Sequence, residues 1–324
     1  MKVLLTHTPQ FRRQYYGERS LKGLQAAAQV VLHEGDDALD AAGLIKAARD
    51  VDIIVADRLT QGPGEIFPQL PKLRAFVRCA VDIRNIDVEA ASAAGVLVTR
   101  AGPGFVPSVA ELALGFLVDL SRGISRATAD YHSGRMPEVV MGRQLSGGTL
   151  GIIGYGSIGR YLAPIAKSLG MKVLVADPFV TIDDAGIEQV SLEDLLGRAD
   201  YVVCLAVANE KTENLIGQAA LARMRPDAFF INLSRGNLVD EAALIAALRE
   251  NRIAGAAIDV GRALDQMPTL EMAELPNVIA TPHIGGLTPP AIESQSSETV
   301  RQVEAIVNRK VPVGAVNADR WTRR

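Results

Sequence analysis

The sequence predicts an α/β protein in two domains: a doubly wound parallel-sheet domain and a smaller α/β domain. Short aliphatic runs alternate with longer helical patterns, which is typical of parallel strands joined by crossover helices. A glycine-rich turn follows one of these runs and opens a helix, as in dinucleotide-binding sheets. At 324 residues, the chain exceeds what one hydrophobic core usually supports. We therefore expect two separate sheets.

Nine apolar runs are predicted strands, and most are followed by a helical pattern. They span residues 3–5, 51–56, 73–79, 150–154, 172–176, 201–205, 229–233, 255–259 and 278–281. The alternation from residue 150 to 281 is enough for one complete dinucleotide-binding sheet. The earlier strands must then belong to the smaller domain.

The segment RAGPGFVP, residues 100–107, interrupts the pattern and predicts a domain crossing, with a helix beginning at Ser108. A last amphipathic helix, residues 291–308, could return to the first domain. We expect residues 1–100 and 289–324 to form the substrate-binding domain. Residues 101–288 would form the dinucleotide-binding domain.

Composition points to a cytoplasmic globular protein. The formal charge of −3 offers no electrostatic reason to bind nucleic acid or an anionic membrane. The apolar stretch in MKVLLTHTPQ is too short for a signal peptide, and no apolar window reaches the length of a membrane span. Cys79 and Cys204 lie inside apolar runs, which favours buried, reduced thiols over a disulfide or a metal site. We expect no bound metal.

The motif GIIGYGSIGR predicts a phosphate-binding turn. Gly154 permits a tight turn, Gly156 lets the backbone approach a pyrophosphate, and Gly159 lets helix and strand pack closely. The helix N-terminus supplies amides and a favourable dipole for the phosphates. The other cofactor-binding residues predicted at this helix start are Ser157, Ile158 and Arg160.

The next predicted strand, KVLVAD, ends in Asp177, about twenty residues after the glycines, where this fold places the acid that binds the adenosine ribose. A carboxylate there favours NAD over NADP, because it repels the extra phosphate. The alternative is a solvated acid at a strand end. The combination of strand, glycines, helix and acid makes that alternative the weaker one.

Three later strand ends carry polar groups at the edge where open α/β sheets bind ligands. Ser234 and Arg235 follow the strand at 229–233, Asp259 ends the strand at 255–259, and His283 follows the strand at 278–281. Taken singly, these residues could form a surface ion pair, a turn cap and an ordinary loop histidine. Their coincidence favours a catalytic site. His7 also follows a strand and is a weaker site candidate.

The segments NLSRG, GAAIDV and TPHIGG, after GYGSIG, resemble the D-isomer-specific 2-hydroxyacid dehydrogenases, which include phosphoglycerate and glycerate dehydrogenases. The segments NIDVEAASAAGVLVT, SVAELALGFL and NLVDEAALIAAL extend the resemblance over most of the chain. It implies a Rossmann-type NAD-binding domain with a smaller, discontinuous, flavodoxin-like substrate domain. It also implies a homodimer and a small 2-hydroxy or 2-keto acid as substrate.

The resemblance assigns roles to the three strand-end residues. Arg235 would bind the substrate carboxylate and polarise the carbonyl, which suits a planar guanidinium. His283 would be the acid/base, since its pKa lies near working pH. Asp259 would hold the nicotinamide carboxamide.

The family's third catalytic residue, usually a glutamate, has its nearest match in Asp265, although the loop after Asp259 is one residue longer here. A solvated loop acid is the alternative at this position. Glu271 and Glu274 are further candidates for the histidine's partner.

The substrate loop departs further, because Ala80, Val81 and Asp82 stand where the family has glycine, valine and glycine. The amides of Val81 and Asp82 could still bind a carboxylate. Phe105 replaces a common asparagine and would make the substrate pocket more apolar. Arg58 and Arg84 would either serve a second anionic group or be surface charges.

Two other functions stay open at this point. One is an enzyme resembling formate dehydrogenase, although those enzymes have an amide where this chain has Asp265, with Gln266 beside it. The other is a non-catalytic NAD-sensing scaffold resembling the related transcriptional corepressors.

Overall fold

The computed structural model describes residues 1–324, and the chain divides into two compact units. Unit 1 comprises Met1–Phe105 and Leu287–Arg324, and unit 2 comprises Val106–Gly286. Each unit is built around its own wholly parallel sheet. The chain therefore crosses from one unit to the other after Phe105 and again after Gly286.

Unit 1 holds a five-stranded sheet whose three inner strands are buried, apart from Lys2 at the start of the first. Its strands are β1 (Lys2–Leu5), β2 (Gln29–Leu32), β3 (Ile53–Ala56), β4 (Ala75–Arg78) and β5 (Leu97–Arg100). Its first helices are α1 (Pro9–Tyr15), α2 (Glu18–Ala27), α3 (Ala41–Ala48), α4 (Ile66–Gln69) and α5 (Val88–Ala93). The strand order β2-β1-β3-β4-β5 is the flavodoxin-like order.

Unit 2 holds a seven-stranded sheet. Its strands are β6 (Thr149–Ile153), β7 (Lys172–Ala176), β8 (Ile187–Gln189), β9 (Tyr201–Cys204), β10 (Phe229–Asn232), β11 (Gly255–Ile258) and β12 (Val278–Ala280). Its helices are α6 (Val106–Arg122), α7 (Ile124–His132), α8 (Ser157–Ser168), α9 (Leu192–Arg198), α10 (Gln218–Leu221), α11 (Glu241–Arg249) and α12 (Leu270–Ala273).

The strand order of unit 2 is β12-β11-β10-β9-β6-β7-β8. The chain reverses direction at β6, which is the topological switch point where doubly wound sheets bind nucleotides. This is the Rossmann order with one added strand, so the predicted fold class is confirmed.

The last helix, α13 (Pro289–Val307), returns to unit 1 and packs on α2. Hydroxyl contacts join the two helices: Ser20 Oγ lies 2.8 Å from Ser296 Oγ, and both side chains are buried. The C-terminal stretch is tied in as well, because Asn317 accepts a hydrogen bond from the amide of Val98 at 2.8 Å. Unit 1 is therefore discontinuous in sequence.

All nine predicted strands are present, but three strands were not predicted. These are β2, β5 and β8, and each lies at an edge of its sheet. Helix α6 begins at Val106, two residues before the predicted Ser108, and ends where Gly123 adopts a left-handed conformation with φ of +64°. No helix combines the length and the apolar character that crossing a bilayer requires.

Candidate active site

The turn between β6 and α8 has three glycines with different surroundings. Gly154 has a φ of +93°, and a Cβ there would lie 2.7 Å from the backbone nitrogen of Ala206. A Cβ on Gly159 would lie 2.7 Å from the carbonyl oxygen of Gly154, whereas one on Gly156 would meet no atom within 4 Å. The first and third glycines are therefore required by packing. The second leaves open space where a pyrophosphate can approach the backbone.

Helix α8 begins directly behind this turn. Gly156 is its N-cap and offers no side-chain acceptor to the first-turn amides. Ser157 and Arg160 are exposed and Ile158 is half-buried, so the helix start is accessible. The guanidinium of Arg160 lies over the ring of Tyr155, 4.7 Å from its centroid. These residues fit a dinucleotide, because an uncapped helix N-terminus supplies amide donors to phosphate.

Asp177 follows β7, the strand next to β6. Its carboxylate accepts hydrogen bonds from the amide of Tyr155 at 2.7 Å and from the amide of Phe179 at 2.9 Å. These bonds fix the acid beside the glycine turn, and its side chain stays half-exposed. Since each carboxylate oxygen has a second lone pair, Asp177 can still accept from ribose hydroxyls.

Strands β10, β11 and β12 are adjacent and in register, with Asn232 opposite Ile258 and Ile258 opposite Ala280. Parallel strands end at the same edge, so the residues that follow them meet there. Arg235, Asp259 and His283 all lie just beyond these ends, in unit 2.

Asp259 is buried, and its carboxylate holds the segment that carries His283. It accepts from the hydroxyl of Thr281 at 2.6 Å, the amide of Ile284 at 2.8 Å and the amide of Gly285 at 2.9 Å. Its backbone oxygen accepts from the amide of His283 at 3.0 Å. Asp259 therefore organises this loop, a role that the sequence did not predict. Thr281 was not singled out either, although a hydroxyl at a strand end was the available signal.

Arg235 sits in an extended stretch between β10 and the next turn. The buried Asn232 side chain holds this stretch, because its amide nitrogen donates to the Arg235 carbonyl at 3.0 Å and its oxygen accepts from the Ser234 amide at 3.1 Å. One guanidinium nitrogen, Nη1, donates to the Ser234 carbonyl at 2.7 Å. That contact fixes the guanidinium close to its own backbone.

The imidazole of His283 is held by the loop that contains Asp265. His283 Nδ1 lies 2.8 Å from the backbone oxygen of Asp265, and both side chains are half-buried. The alternative acids are placed differently. Glu271 pairs with Arg249 at 3.0 Å, and Glu274 is exposed at the end of α12. Of the three acids, Asp265 is the one whose main chain contacts the histidine.

In unit 1, the loop after β4 contains Val81 and Asp82, both half-buried. The Asp82 carboxylate is bridged by Arg84, with Nη2 to Oδ2 at 2.7 Å, so Arg84 is an ion-pair partner within this loop. Arg58 stacks on Tyr15, 4.7 Å from the ring centroid, and donates to its hydroxyl at 3.2 Å. Phe105 is half-buried at the end of the first segment of unit 1.

A buried arginine, Arg78, connects the loops after β3 and β4. Its guanidinium donates to the backbone oxygen of Asp57, to that of Thr60 at 2.8 Å and to Asn85 Oδ1 at 2.8 Å. Asn85 in turn donates to the Arg58 carbonyl at 3.2 Å. Burial lowers the pKa of Arg78 to about 10, so the side chain remains a cation at neutral pH. The sequence did not single out Arg78, since it lies inside an apolar strand.

His7 lies beside this arginine and is completely buried. Its pKa is lowered to about 4, mainly because burial disfavours the imidazolium; the Asp57 carboxylate opposes this shift and Arg78 adds to it. Its ring packs edge-on against Tyr16, with centroids 5.1 Å apart. A histidine that stays neutral around pH 7 inside a sealed core is unsuited to proton transfer with a substrate. The weaker site candidate is therefore set aside.

His7 predicts a loss of stability in mild acid. As pH falls from the ordinary histidine value of 6.5 towards 4, the unfolded chain takes up a proton that the folded chain does not. The free energy of unfolding should fall by about 3 kcal/mol over this range through His7. Urea unfolding at several pH values measures this, and His7→Gln should flatten the dependence. Exposed His132 is the control, since His132→Gln should leave the slope unchanged. An equally steep fall in His7→Gln would contradict the assignment.

The geometry of unit 2 defines a class: a Rossmann-type oxidoreductase domain with a glycine-rich dinucleotide-binding turn, an arginine after β10 and a histidine after β12, the two strands that flank β11. No group of three or more His, Cys, Asp or Glu side chains is arranged to hold a metal ion. Residues 114–285 match the model of the D-isomer specific 2-hydroxyacid dehydrogenase NAD-binding domain. The chain belongs to this family of NAD-dependent oxidoreductases.

The chain is 37% identical over 269 residues to the (S)-sulfolactate dehydrogenase of Chromohalobacter salexigens, covering 82% of this chain and 87% of that protein. It is 32% identical over 307 residues to the D-3-phosphoglycerate dehydrogenase of Methanocaldococcus jannaschii. That match covers 93% of this chain but 57% of the relative, so the chain spans little more than half of that protein's length.

A solved structure of a Thermus thermophilus protein superposes with a TM-score of 0.88 at 28% identity, covering 98% of this chain and all of that one. The predicted family, fold class and NAD cofactor are confirmed by these similarities. They give no support to the formate dehydrogenase-like or corepressor-like alternatives.

Proposed function

We propose that the chain interconverts a small D-2-hydroxy acid and its 2-keto acid with NAD, with His283 as the acid/base and Arg235 as the carboxylate ligand. The observation that carries this proposal is the register of β10, β11 and β12, which brings the Arg235 and His283 segments to one edge of the sheet. The glycine turn at the switch point supports a dinucleotide at the same carboxyl edge. When bound, NADH supplies the hydride.

In the reductive direction, Arg235 binds the carboxylate of the keto acid and polarises the adjacent carbonyl, because its guanidinium can donate two parallel hydrogen bonds. His283, protonated, donates its proton from Nε2 to the carbonyl oxygen as that oxygen becomes a hydroxyl. The oxidative direction reverses this transfer. Asp259 and Thr281 keep the His283 segment in place, and we retain the proposal that Asp259 also orients the nicotinamide carboxamide.

For unit 1, the proposal keeps the amides of Val81 and Asp82 as carboxylate ligands and Phe105 as an apolar pocket residue. The pairing of Arg84 with Asp82 supports a structural role for that arginine within its own loop. We therefore do not assign Arg84 to a second anionic group of the substrate.

Absorbance at the NADH band, followed with a panel of 2-keto acids, tests the proposed reaction. The panel includes glyoxylate, pyruvate, hydroxypyruvate and a sulfonated keto acid, with formate and NAD in the reverse assay. Turnover on any 2-keto acid supports the proposal. Binding of NADH without turnover on the whole panel would favour the scaffold instead, and oxidation of formate would favour the formate dehydrogenase.

Asp177 predicts a preference for NADH over NADPH. Asp177→Ala should raise KM for NADH about tenfold through the lost hydrogen bonds and reduce discrimination against NADPH. Initial rates with both cofactors measure this. Asp184 is a control, since it is exposed in the same region. Its replacement by alanine should leave the ratio of kcat/KM with NADH to kcat/KM with NADPH unchanged. A wild-type enzyme that used NADPH more efficiently would contradict the assignment.

We further propose a homodimer formed through unit 2. Large apolar side chains are concentrated and exposed between residues 124 and 141: Ile124, Tyr131, Met136, Val139, Val140 and Met141. An exposed apolar patch of this kind is typical of an interface, and the family resemblance predicts that a second copy covers it. In sedimentation equilibrium, Val139→Lys with Met141→Lys should yield monomers. Val313→Lys, at a position in unit 1 that is also largely exposed, should not. A monomeric wild type would refute the dimer.

We also propose a cytoplasmic location. Both cysteines are buried free thiols, which suits a reducing compartment. Cell fractionation tests this, and recovery outside the cytoplasm would overturn it.

A further inference from the structure

Backbone strain is concentrated around the candidate acid/base. Asp265, Gln266 and His283 have φ values of 55°, 58° and 54°. Among non-glycine residues, the only other positive values belong to Asn214, Asn251 and Arg309. The left-handed conformation is unfavourable for residues with a Cβ, least so for asparagine, aspartate and histidine. Half of the chain's strained non-glycine residues thus lie at one place in unit 2.

The left-handed backbone at these residues determines which atom forms a hydrogen bond with the His283 imidazole. His283 Nδ1 lies 2.8 Å from the backbone oxygen of Asp265. A carbonyl oxygen can only accept a hydrogen bond, so Nδ1 must carry a hydrogen. In the neutral ring Nε2 then carries the basic lone pair, and in the charged ring Nε2 carries the mobile proton. The main chain of residue 265 therefore selects the tautomer.

The carbonyl is aimed by the local fold of its loop. The Gly261 amide donates to the Gln266 carbonyl at 2.7 Å, and the Gln266 amide donates to the Ala263 carbonyl at 3.0 Å. A Cβ on Gly261 would lie 2.7 Å from the Met267 carbonyl oxygen, so the loop closes tightly on itself. On the other side, the His283 amide donates to the carbonyls of Asp259 and Thr281. Both partners of the Nδ1 contact are thus fixed by their own backbones.

We propose that Asp265 positions His283 through its main-chain carbonyl, which the left-handed conformation of residues 265 and 266 directs at Nδ1. This inference rests on the proposed function for the role of His283. It also accounts for an aspartate in a loop one residue longer than the related pattern, where a glutamate is usual. Aspartate tolerates the left-handed conformation better than glutamate does.

A substitution series separates conformation from charge. At position 265, asparagine and glycine tolerate the left-handed conformation but carry no charge. Glutamate keeps the charge but tolerates that conformation less well. If the carbonyl positions the ring, kcat on the low-pH plateau stays within about fivefold of wild type in Asp265→Asn and Asp265→Gly. In Asp265→Glu and Asp265→Val it falls at least about tenfold. The basic limb of the reductive pH profile moves to lower pH by about one unit in Asp265→Asn, because a nearby negative charge is removed.

Asn251 supplies the matched control, since its φ is 54° in an exposed turn outside the site. Asn251→Val should lower the melting temperature as Asp265→Val does, with kcat unchanged. If Asp265→Glu retained full activity while Asp265→Asn and Asp265→Gly lost it, the carboxylate would be the positioning group and the inference would be wrong.

Nitrogen NMR of histidine-labelled protein gives a readout that needs no turnover. The neutral His283 ring, assigned by loss of its signals in His283→Asn, should be the tautomer protonated at Nδ1 in the wild type and in Asp265→Asn. Asp265→Val should populate the Nε2-protonated form. A wild-type ring protonated at Nε2 would overturn the inference even in an active enzyme. If the wild-type ring were protonated at Nδ1 but the enzyme reduced no keto acid, the inference about Asp265 would hold and the proposed function would be wrong.

Discussion

His283→Ala is expected to lower kcat for keto-acid reduction by about 10³-fold, because general acid catalysis by a positioned side chain contributes about that much. KM for NADH should change little, since the glycine turn and Asp177 lie at other strands. The pH dependence of the reductive rate should lose its basic limb, because the group that titrates is gone. Stopped-flow single-turnover measurements separate this loss from any change in product release.

Because His283 has a left-handed backbone, with φ of 54°, a second variant is needed to separate loss of the side chain from a change in the loop. Alanine does not favour the left-handed conformation of this position, whereas asparagine does. His283→Asn should therefore keep the loop and still lose catalysis. Exposed His132→Ala is the control and should be fully active. Activity near wild type in His283→Asn would remove His283 from the acid/base role.

Arg235→Ala is expected to lower kcat/KM by about 10³-fold, in kcat as well as in KM, because its contact strengthens as negative charge develops on the carbonyl oxygen. Arg235→Lys should recover little, since an ammonium cannot reproduce the two parallel donors of a guanidinium. The measurement is steady-state kinetics with the best keto acid of the panel.

Arg225 provides the comparison for Arg235. It lies in the same unit, pairs with Asp227 at 3.1 Å and is partly exposed. Arg225→Ala should leave kcat/KM within about twofold, as expected for a surface ion pair. Were Arg235→Ala to retain catalytic efficiency near wild type, the carboxylate would have to be bound by other groups, and the amides of Val81 and Asp82 would be the first candidates.

The two expected losses should not be additive. Arg235 and His283 act on the same carbonyl in the proposed reaction, so removing the second group from an enzyme already lacking the first should have a smaller effect. The double variant therefore separates a shared site from two independent ones.

Inner strands of both sheets were predictable because they are continuous apolar runs, whereas three of the four edge strands, β2, β5 and β8, were not predicted. Strand β8 reads IEQ and has two exposed residues, and β2 is only half-buried. Edge strands pair on one side and contribute less apolar surface to the core, so their sequence signal is weaker. Pairing with a neighbour, which is a tertiary contact, decides that these segments are strands.

By itself, the sequence determined the class of this protein: the glycine turn with Asp177, the strand-end positions of Arg235 and His283, and the family that they indicate. These features are local, because strand, turn and helix start depend on residues close together in the chain. Only the tertiary structure decided that Asp259 holds the His283 segment, that Arg84 pairs with Asp82, and that the main chain of Asp265 meets His283 Nδ1. Such contacts join residues up to 26 positions apart, and their geometry is set by backbone conformations that no side-chain pattern specifies.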